Sequence, residues 1–418
     1  MTIAPAPERL VARTVAIRDP GPLLGLLPTS GPLAWVRRGE GLVAWGEVLR
    51  INTAGADRFA AARSAWARLT SHAVVRDEVG LPGSGPVAFG SFAFSPDSPA
   101  GGVLVVPEVV VGHRGDQWWV TTVGMGAVLP PLPRLRPAEP PQRTGGVTFL
   151  DGALSAEEWQ GVVADAIRRI GDGAMEKVVL ARDIRARAER PIRPERLLQR
   201  LASRYPGCWT FSVDGLLGAT PELLVRREKG LVTSRVLAGT IRRTGDDAHD
   251  LALAASLARS SKDLEEHEYA VRSVADALAP HCTSTNVPES PFVLHLANVM
   301  HLATDVTGVL ADSTTSLGLA AALHPSAAVC GTPTTAAAAL IGEIEGMDRD
   351  RYAGPVGWMD ASGDGEWGIA LRCARRDSTD PHTLRLFAGC GIVAGSDPLA
   401  ELAESNAKLL PMREALTE

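Results

Sequence analysis

Hydrophobic periodicity divides the chain near residue 150. Before it, residues 33–36, 41–49 and 103–111 form apolar or β-branched runs parted by turn residues, and 117–123 (QWWVTTV) reads the same way. All four are expected as strands. One stretch breaks the rhythm: 58–69 (RFAAARSAWARL) is alanine-rich and predicts a helix. After 150 a helical period appears. Ser155, Ala156, Glu157 and Glu158 fit a capping box, and Trp159, Val162, Val163, Ala166, Ile167 and Ile170 then follow the i, i+3, i+4, i+7 rule. A strand is predicted at 176–182, with Val178, Leu180 and Ile184 on one face and Lys177, Asp183 and Arg185 on the other. Residues 366–375 and 384–393 read as a late antiparallel pair. Gly239 and Thr240 are placed in a turn. The final helix is expected to open at Ser396-Asp397-Pro398, a capping side chain followed by proline at the first helical position. Pro411 should then cut that helix short or kink it.

Composition narrows the class. The chain has 418 residues, 45% hydrophobic and 22% charged, as ordinary globular proteins do. A net charge of −6, with no basic cluster, argues against nucleic acid as a partner. No run of 18 or more apolar residues predicts a membrane span, and the N-terminus lacks a secretory pattern. Five scattered cysteines with no C-x-x-C pair suggest reduced thiols, a cytoplasmic location and no zinc site. The stretch 130–146 carries six prolines, and its composition fits either an interdomain linker or a surface excursion. Residues 1–128 show no chemistry and read as scaffold. Gly83 and Gly85 mimic a phosphate loop only superficially, since no Lys-Ser/Thr follows. That leaves a Mg²⁺-dependent phosphoryl-transfer enzyme with little support.

Candidate chemistry lies on two predicted helices. Glu401, Glu404 and Lys408 fall on one face of the last helix, and Asp263 and Glu266 repeat the three-residue spacing around 262–278. Two pairs of carboxylates can hold a hard divalent cation such as Mg²⁺, although such pairs are also common on solvated helix faces. Lys177, alone on a strand, is ordinarily a solvated lysine. Glu222, after Pro221 in an apolar run, either caps a helical turn or is buried with a raised pKa, which suits a proton donor.

Ten segments carry a resemblance in their order along the chain: EKVVLAR, GATPELL, LAGTIRR, SSKDLEEHE, HLATDVTG, HPSAAVCGTP, YAGPVGW, ALRCA, FAGCGIV and AELAESNAKL. The set resembles the chorismate-utilising enzymes, which include isochorismate synthases, salicylate synthases and the large subunits of anthranilate and aminodeoxychorismate synthases. It is most similar to isochorismate synthases. The likeness is strong over about 150–412 and weak before that. It implies one α+β domain over 1–418, with stacked antiparallel sheets flanked by helices and a divergent strand-rich part over 1–150, so the proline stretch becomes an excursion.

The resemblance also implies roles. Mg²⁺ would sit on Glu266 and Glu404, supported by Asp263 and Glu401. Lys177 falls where the family places a general base and Glu222 where it places a general acid. Gly239, Thr240, His301, Tyr352, Arg372, Gly389 and Lys408 fall at positions lining the chorismate pocket. Ala328 stands where salicylate and anthranilate synthases tend to have threonine, which favours a reaction that stops at isochorismate. Lysine at 177 fits an enzyme that adds water rather than ammonia. The expected protein is a monomer acting on chorismate without a glutaminase subunit. Cys390 departs from the alanine usual at its position. A catalytically silent chorismate-binding protein is the reading from another class.

Overall fold

Alternating and continuous apolar strands pair into two large sheets, of 13 and 10 strands among the described residues. The computed structural model describes residues 9–138, 142–295 and 299–417. Within that range the side chains of Thr240, Lys262, Asp263 and Glu266 are not described. Pairing is antiparallel except where Leu10–Ile17 runs parallel to Val74–Asp77. The α+β architecture expected from the sequence is the one observed.

Layers follow from which faces are apolar. The main core lies between the sheets and includes Trp35, Phe89, Phe211 and Trp367. On the outer face of the larger sheet, Leu197, Leu198 and Leu201 of helix Pro194–Arg204 pack with Leu409, Met412 and Leu416 of helix Pro398–Thr417 against Ile184, Ala186, Leu384 and Leu386. On the smaller sheet, Ala254 and Leu257 cover Met300 and Leu302. The order is therefore helix, sheet, core, sheet, helix.

Both sheets mix strands from before and after the proline-rich stretch. Leu33–Arg37 pairs with Trp209–Val213, and Val87–Phe92 pairs with Pro355–Asp360. Trp35 and Trp209 donate from their indoles to one oxygen of Glu366, at 2.8 and 3.1 Å.

Several predicted elements shift. Residues 41–49 hold the end of strand Glu40–Trp45 and the start of strand Leu49–Thr53. Residues 103–111 divide at Pro107 into strands Gly102–Val106 and Val109–Arg114, which belong to different sheets. The 366–375 segment likewise splits into Gly365–Ile369 of the smaller sheet and Cys373–Arg376 of the larger one. Gly239 and Thr240 lie inside the long strand Leu231–Arg242, at a bulge where Gly239 takes φ +73°, and not in a turn. The last helix runs through Pro411 to Thr417, so proline does not end it. Its cap is Asp397, which accepts from the Ala400 amide at 2.8 Å, while Ser396 bonds the Glu401 carboxyl. The capping box at Ser155 forms as expected. No helix among the described residues is long and apolar enough to cross a membrane.

Candidate active site

Two crossings between the sheets build the site. Leu216–Thr220 belongs to the larger sheet and Leu223–Glu228 to the smaller, so the chain changes sheets at Pro221 and Glu222. It returns between Gly365–Ile369 and Cys373–Arg376, across Arg372. Backbone bonds tie the two crossings together: the Ile369 amide donates to the Glu222 carbonyl at 3.2 Å, and the Ala219 amide to the Arg372 carbonyl at 3.2 Å. Proline suits the first crossing because it needs no ladder donor there. Arg372 adopts φ +49°, a left-handed conformation that costs a non-glycine residue about 1 kcal/mol or more and is found at functional sites.

Glu222 is buried, and it does not cap a helix. Burial pushes its carboxyl up to about 7 from the ordinary 4.5, against the opposing pull of Lys177, Lys408 and Arg372. Desolvation therefore outweighs three nearby cations. The result is a carboxyl that still holds its proton near neutrality. Burial also lowers Arg372, whose guanidinium makes no hydrogen bond or ion pair among the described residues. A planar fork of donors left open in a partly buried position suits a carboxylate ligand.

Lys177 opens strand Lys177–Ala188 and pairs with Thr332. A β-carbon on Gly391 would stand 2.8 Å from its Cε and 3.5 Å from its Nζ. Glycine at 391 therefore clears a path for the lysine side chain. Gly389 serves two neighbours: its carbonyl accepts from Lys408 Nζ at 2.9 Å, and a β-carbon there would stand 3.1 Å from the Tyr352 hydroxyl. Tyr352 is buried and stacks on Phe387 with centroids 5.1 Å apart. His301, held by the Gly239 backbone, is lowered to about 4 by burial and by Arg372 and Lys408, so it is neutral at pH 7. Ala328 shares a small cavity, about 20 Å³, with Glu222, Ser234 and Ser326.

The last helix brings its acids to the same place. Lys408 Nζ lies 2.6 Å from a Glu404 oxygen. One donor atom each from Cys390, Glu401 and Glu404 lie within 4.8 Å of one another. Glu404 is held below the usual carboxylate range because Lys408 and Arg372 overcome its burial, whereas burial raises Glu401. Burial keeps the Cys390 thiol protonated, pushed up to about 12. Two carboxylates, one firmly ionised, suit a hard divalent cation. The predicted acids Asp263 and Glu266, on helix Ser261–Leu278, and the Thr240 side chain lie outside the described residues.

Sequence reasoning missed Cys390 as a neighbour of the acid pair, and it missed the clearance role of Gly391. It also passed over Glu345 and Arg349, a buried pair behind the lysine strand. A cavity of about 780 Å³ lies apart from this chemistry, beside Phe59, Phe94 and His324, and none of the predicted site residues lines it.

The family model described as "Chorismate binding enzyme" matches residues 34–126 and 136–417. Isochorismate synthase DhbC of Bacillus subtilis (strain 168) is 41% identical over 290 residues, covering 66% of this chain and 72% of that protein. The salicylate biosynthesis isochorismate synthase of Pseudomonas aeruginosa is 35% identical over 411 residues, covering 92% and 84%. Among solved structures, DhbC from Bacillus anthracis superposes with a TM-score of 0.77 at 33% identity, over 94% of this chain and 98% of that one. The menaquinone-specific MenF of Escherichia coli reaches 0.81 at 24% identity, over 99% and 96%, and bears on the fold alone.

Proposed function

We infer that this chain, which belongs to the chorismate-binding enzymes, converts chorismate to isochorismate. Water adds at C2, the C4 hydroxyl leaves as water, and the ring double bond shifts between them, so atoms balance as an isomerisation. The observation that carries this reading is the buried Glu222 carboxyl, raised to about 7 while facing Lys177, Lys408 and Arg372. An acid that keeps its proton near neutrality can deliver it to a departing hydroxyl. Lys177, passing over Gly391, takes the proton from the attacking water. After turnover the lysine is protonated and the glutamate ionised, and exchange with solvent resets both.

The remaining groups bind and orient. Arg372 takes one substrate carboxylate in a two-bond grip. Lys408, fixed by Glu404 and the Gly389 carbonyl, adds positive charge to a site that must hold a dianion in a chain of net −6. Glu401 and Glu404 would hold Mg²⁺, to which the family resemblance adds Asp263 and Glu266. When bound, that ion would neutralise the second carboxylate. Ala328 places no hydroxyl at the position where salicylate and anthranilate synthases tend to have threonine, so the reaction stops at isochorismate. The chain acts in the cytoplasm as a monomer, with no glutaminase partner, on a route to menaquinone, a siderophore or another secondary metabolite.

The test is incubation of the purified protein with chorismate, with and without Mg²⁺, followed by separation of products. Isochorismate formed only with the ion supports the reaction and its need for Mg²⁺. Salicylate with pyruvate would overturn the role given to Ala328. No conversion, even with ammonia added, would leave a chorismate-binding protein without catalysis.

A further inference from the structure

The strand that carries Lys177 has an unpaired stretch on its outer edge. Its inner edge pairs with Thr383–Ile392 from Val178 onward. On the outer edge, Gly331 and Thr332 cover Lys177 and Val178, and Val147–Asp151 covers Ile184 to Ala188. Between them, Val179 and Ala181 point their backbone groups outward with no strand among the described residues to meet them. Buried peptide groups cannot be left that way without cost. Each is satisfied individually. The Val179 amide donates to the Cys330 carbonyl at 2.8 Å. The Val179 carbonyl accepts from Arg349 Nη2 at 2.7 Å. The Ala181 amide donates to Glu345 Oε2 at 2.8 Å, and the Ala181 carbonyl accepts from Trp159 Nε1 at 3.0 Å.

Glu345 and Arg349 thus replace a missing strand, and they are joined to each other. Arg349 Nε and Nη2 meet the two Glu345 oxygens at 2.6 and 2.5 Å, with both side chains almost wholly buried. Arg349 also donates through Nη1 to the Val329 carbonyl at 2.9 Å. One guanidinium therefore fixes the strand two residues after Lys177 and the loop one residue after Ala328.

A buried ion pair is a poor device for raw stability, because desolvation consumes most of its attraction. What it supplies here is fixed direction, since a guanidinium fork bonds in a plane and at set angles. We propose that Glu345 and Arg349 are positioning residues for the reaction, locking the lysine strand and the Ala328 loop in the relative placement that water attack requires. This rests on the role proposed for Lys177. Displacement of a reacting group by about 1 Å can cost roughly a hundredfold in rate.

Two variants test it. Arg349→Lys keeps the charge opposite Glu345 but cannot bond the carboxylate, Val179 and Val329 together. Its kcat should fall at least about tenfold with the KM for chorismate within about threefold, because binding groups are untouched while alignment is lost. Glu345→Leu combined with Arg349→Met removes both charges, avoids a lone buried ion, and should show the same kcat loss. A kcat per folded molecule equal to wild type in both variants overturns the proposal, whatever the change in melting temperature. If wild type itself does not turn over chorismate, the functional reading has failed. The locking claim is then decided by amide hydrogen exchange: unchanged protection at Val179 and Ala181 in the double variant overturns it, and faster exchange supports it.

Discussion

Glu222 shows how one residue is set by its surroundings. Its carboxyl stands at about 7 because burial defeats the attraction of three cations. The sign of the resulting pH dependence follows directly. Between about 4.5 and 7 the folded state holds a proton that the unfolded state has released, so stability falls as pH rises through that window, by on the order of 3 kcal/mol in all. Glu222→Gln should abolish that slope and raise the melting temperature at pH 8 relative to wild type. Thermal unfolding of both proteins from pH 5 to 8 checks this, and parallel curves would mean that the carboxyl is not raised. The same substitution should lower kcat roughly a hundredfold or more, the range that general acid catalysis contributes. In wild type, kcat/KM should decline as pH rises past about 7, where the acid loses its proton. Sequence reading reached Glu222 because a proline and a glutamate inside an apolar run demand explanation. It could not choose burial over capping, since the choice depends on strands from two sheets meeting there. Cys390 was visible only as a departure from alanine, because its proximity to Glu401 and Glu404 is created by the fold and not by spacing along the chain.

At the scale of elements, the strand Thr383–Ile392 and the helix Pro398–Thr417 act as one unit. Gly389 and Gly391 lie on the strand, Glu401, Glu404 and Lys408 on the helix, and the Lys408 bond to the Gly389 carbonyl joins them. Both elements were legible. The glycine-spaced apolar run and the Asp-Pro start carry local signals that need no tertiary contact. The crossings were not legible: 366–375 looks like one strand because nothing local marks Arg372 as a left-handed residue. Gly391→Ala tests the clearance argument. Nothing restricts Gly391 to positive φ, so the backbone tolerates a side chain, but a β-carbon 2.8 Å from Lys177 Cε must push the lysine aside. The variant should fold normally, with a melting temperature within a few degrees of wild type, and lose at least about tenfold in kcat. Wild-type turnover would show that Lys177 does not need its present path. Glu404→Gln belongs to the same unit. It should raise the Mg²⁺ concentration needed for half-maximal rate by at least about tenfold, the smallest effect typical of changes at a metal site. An equal shift on substituting Glu414, a half-buried acid of the same helix that pairs with Arg204, would remove Glu404 from the ion's site.

Across the whole molecule, the strand-rich first part and the motif-bearing second part are not separable bodies, although composition changes sharply between them. Their boundary at the proline-rich stretch is a feature of the chain, whereas the sheets disregard it. Leu33–Arg37 supplies the neighbour of Trp209–Val213, the first arm of the hairpin that leads to Glu222, and Val87–Phe92 supplies the neighbour of Pro355–Asp360. Trp35 fills the core beside Trp209 and Phe211 and bonds Glu366, on the strand just before Arg372. The first part thus has no groups among the predicted site residues, yet it seats both crossings. Removing residues 1–128 would bare two strand edges and take Trp35, Phe89, Phe92 and Leu104, each almost wholly buried, out of the core. Fully burying one such side chain is worth about 1.5–3 kcal/mol, and a domain's net stability is only about 5–15 kcal/mol, so losing even these four removes most of it. The fragment 129–418 should therefore lack fixed tertiary packing, bind a hydrophobic dye, show no near-ultraviolet circular dichroism from its remaining tryptophans, and convert no chorismate. Co-expression with the separate segment 1–128 should restore part of both signals, because the missing strands return as partners. A fragment that folds cooperatively alone would mean that the second part holds its own core, and that the interleaved strands only decorate it.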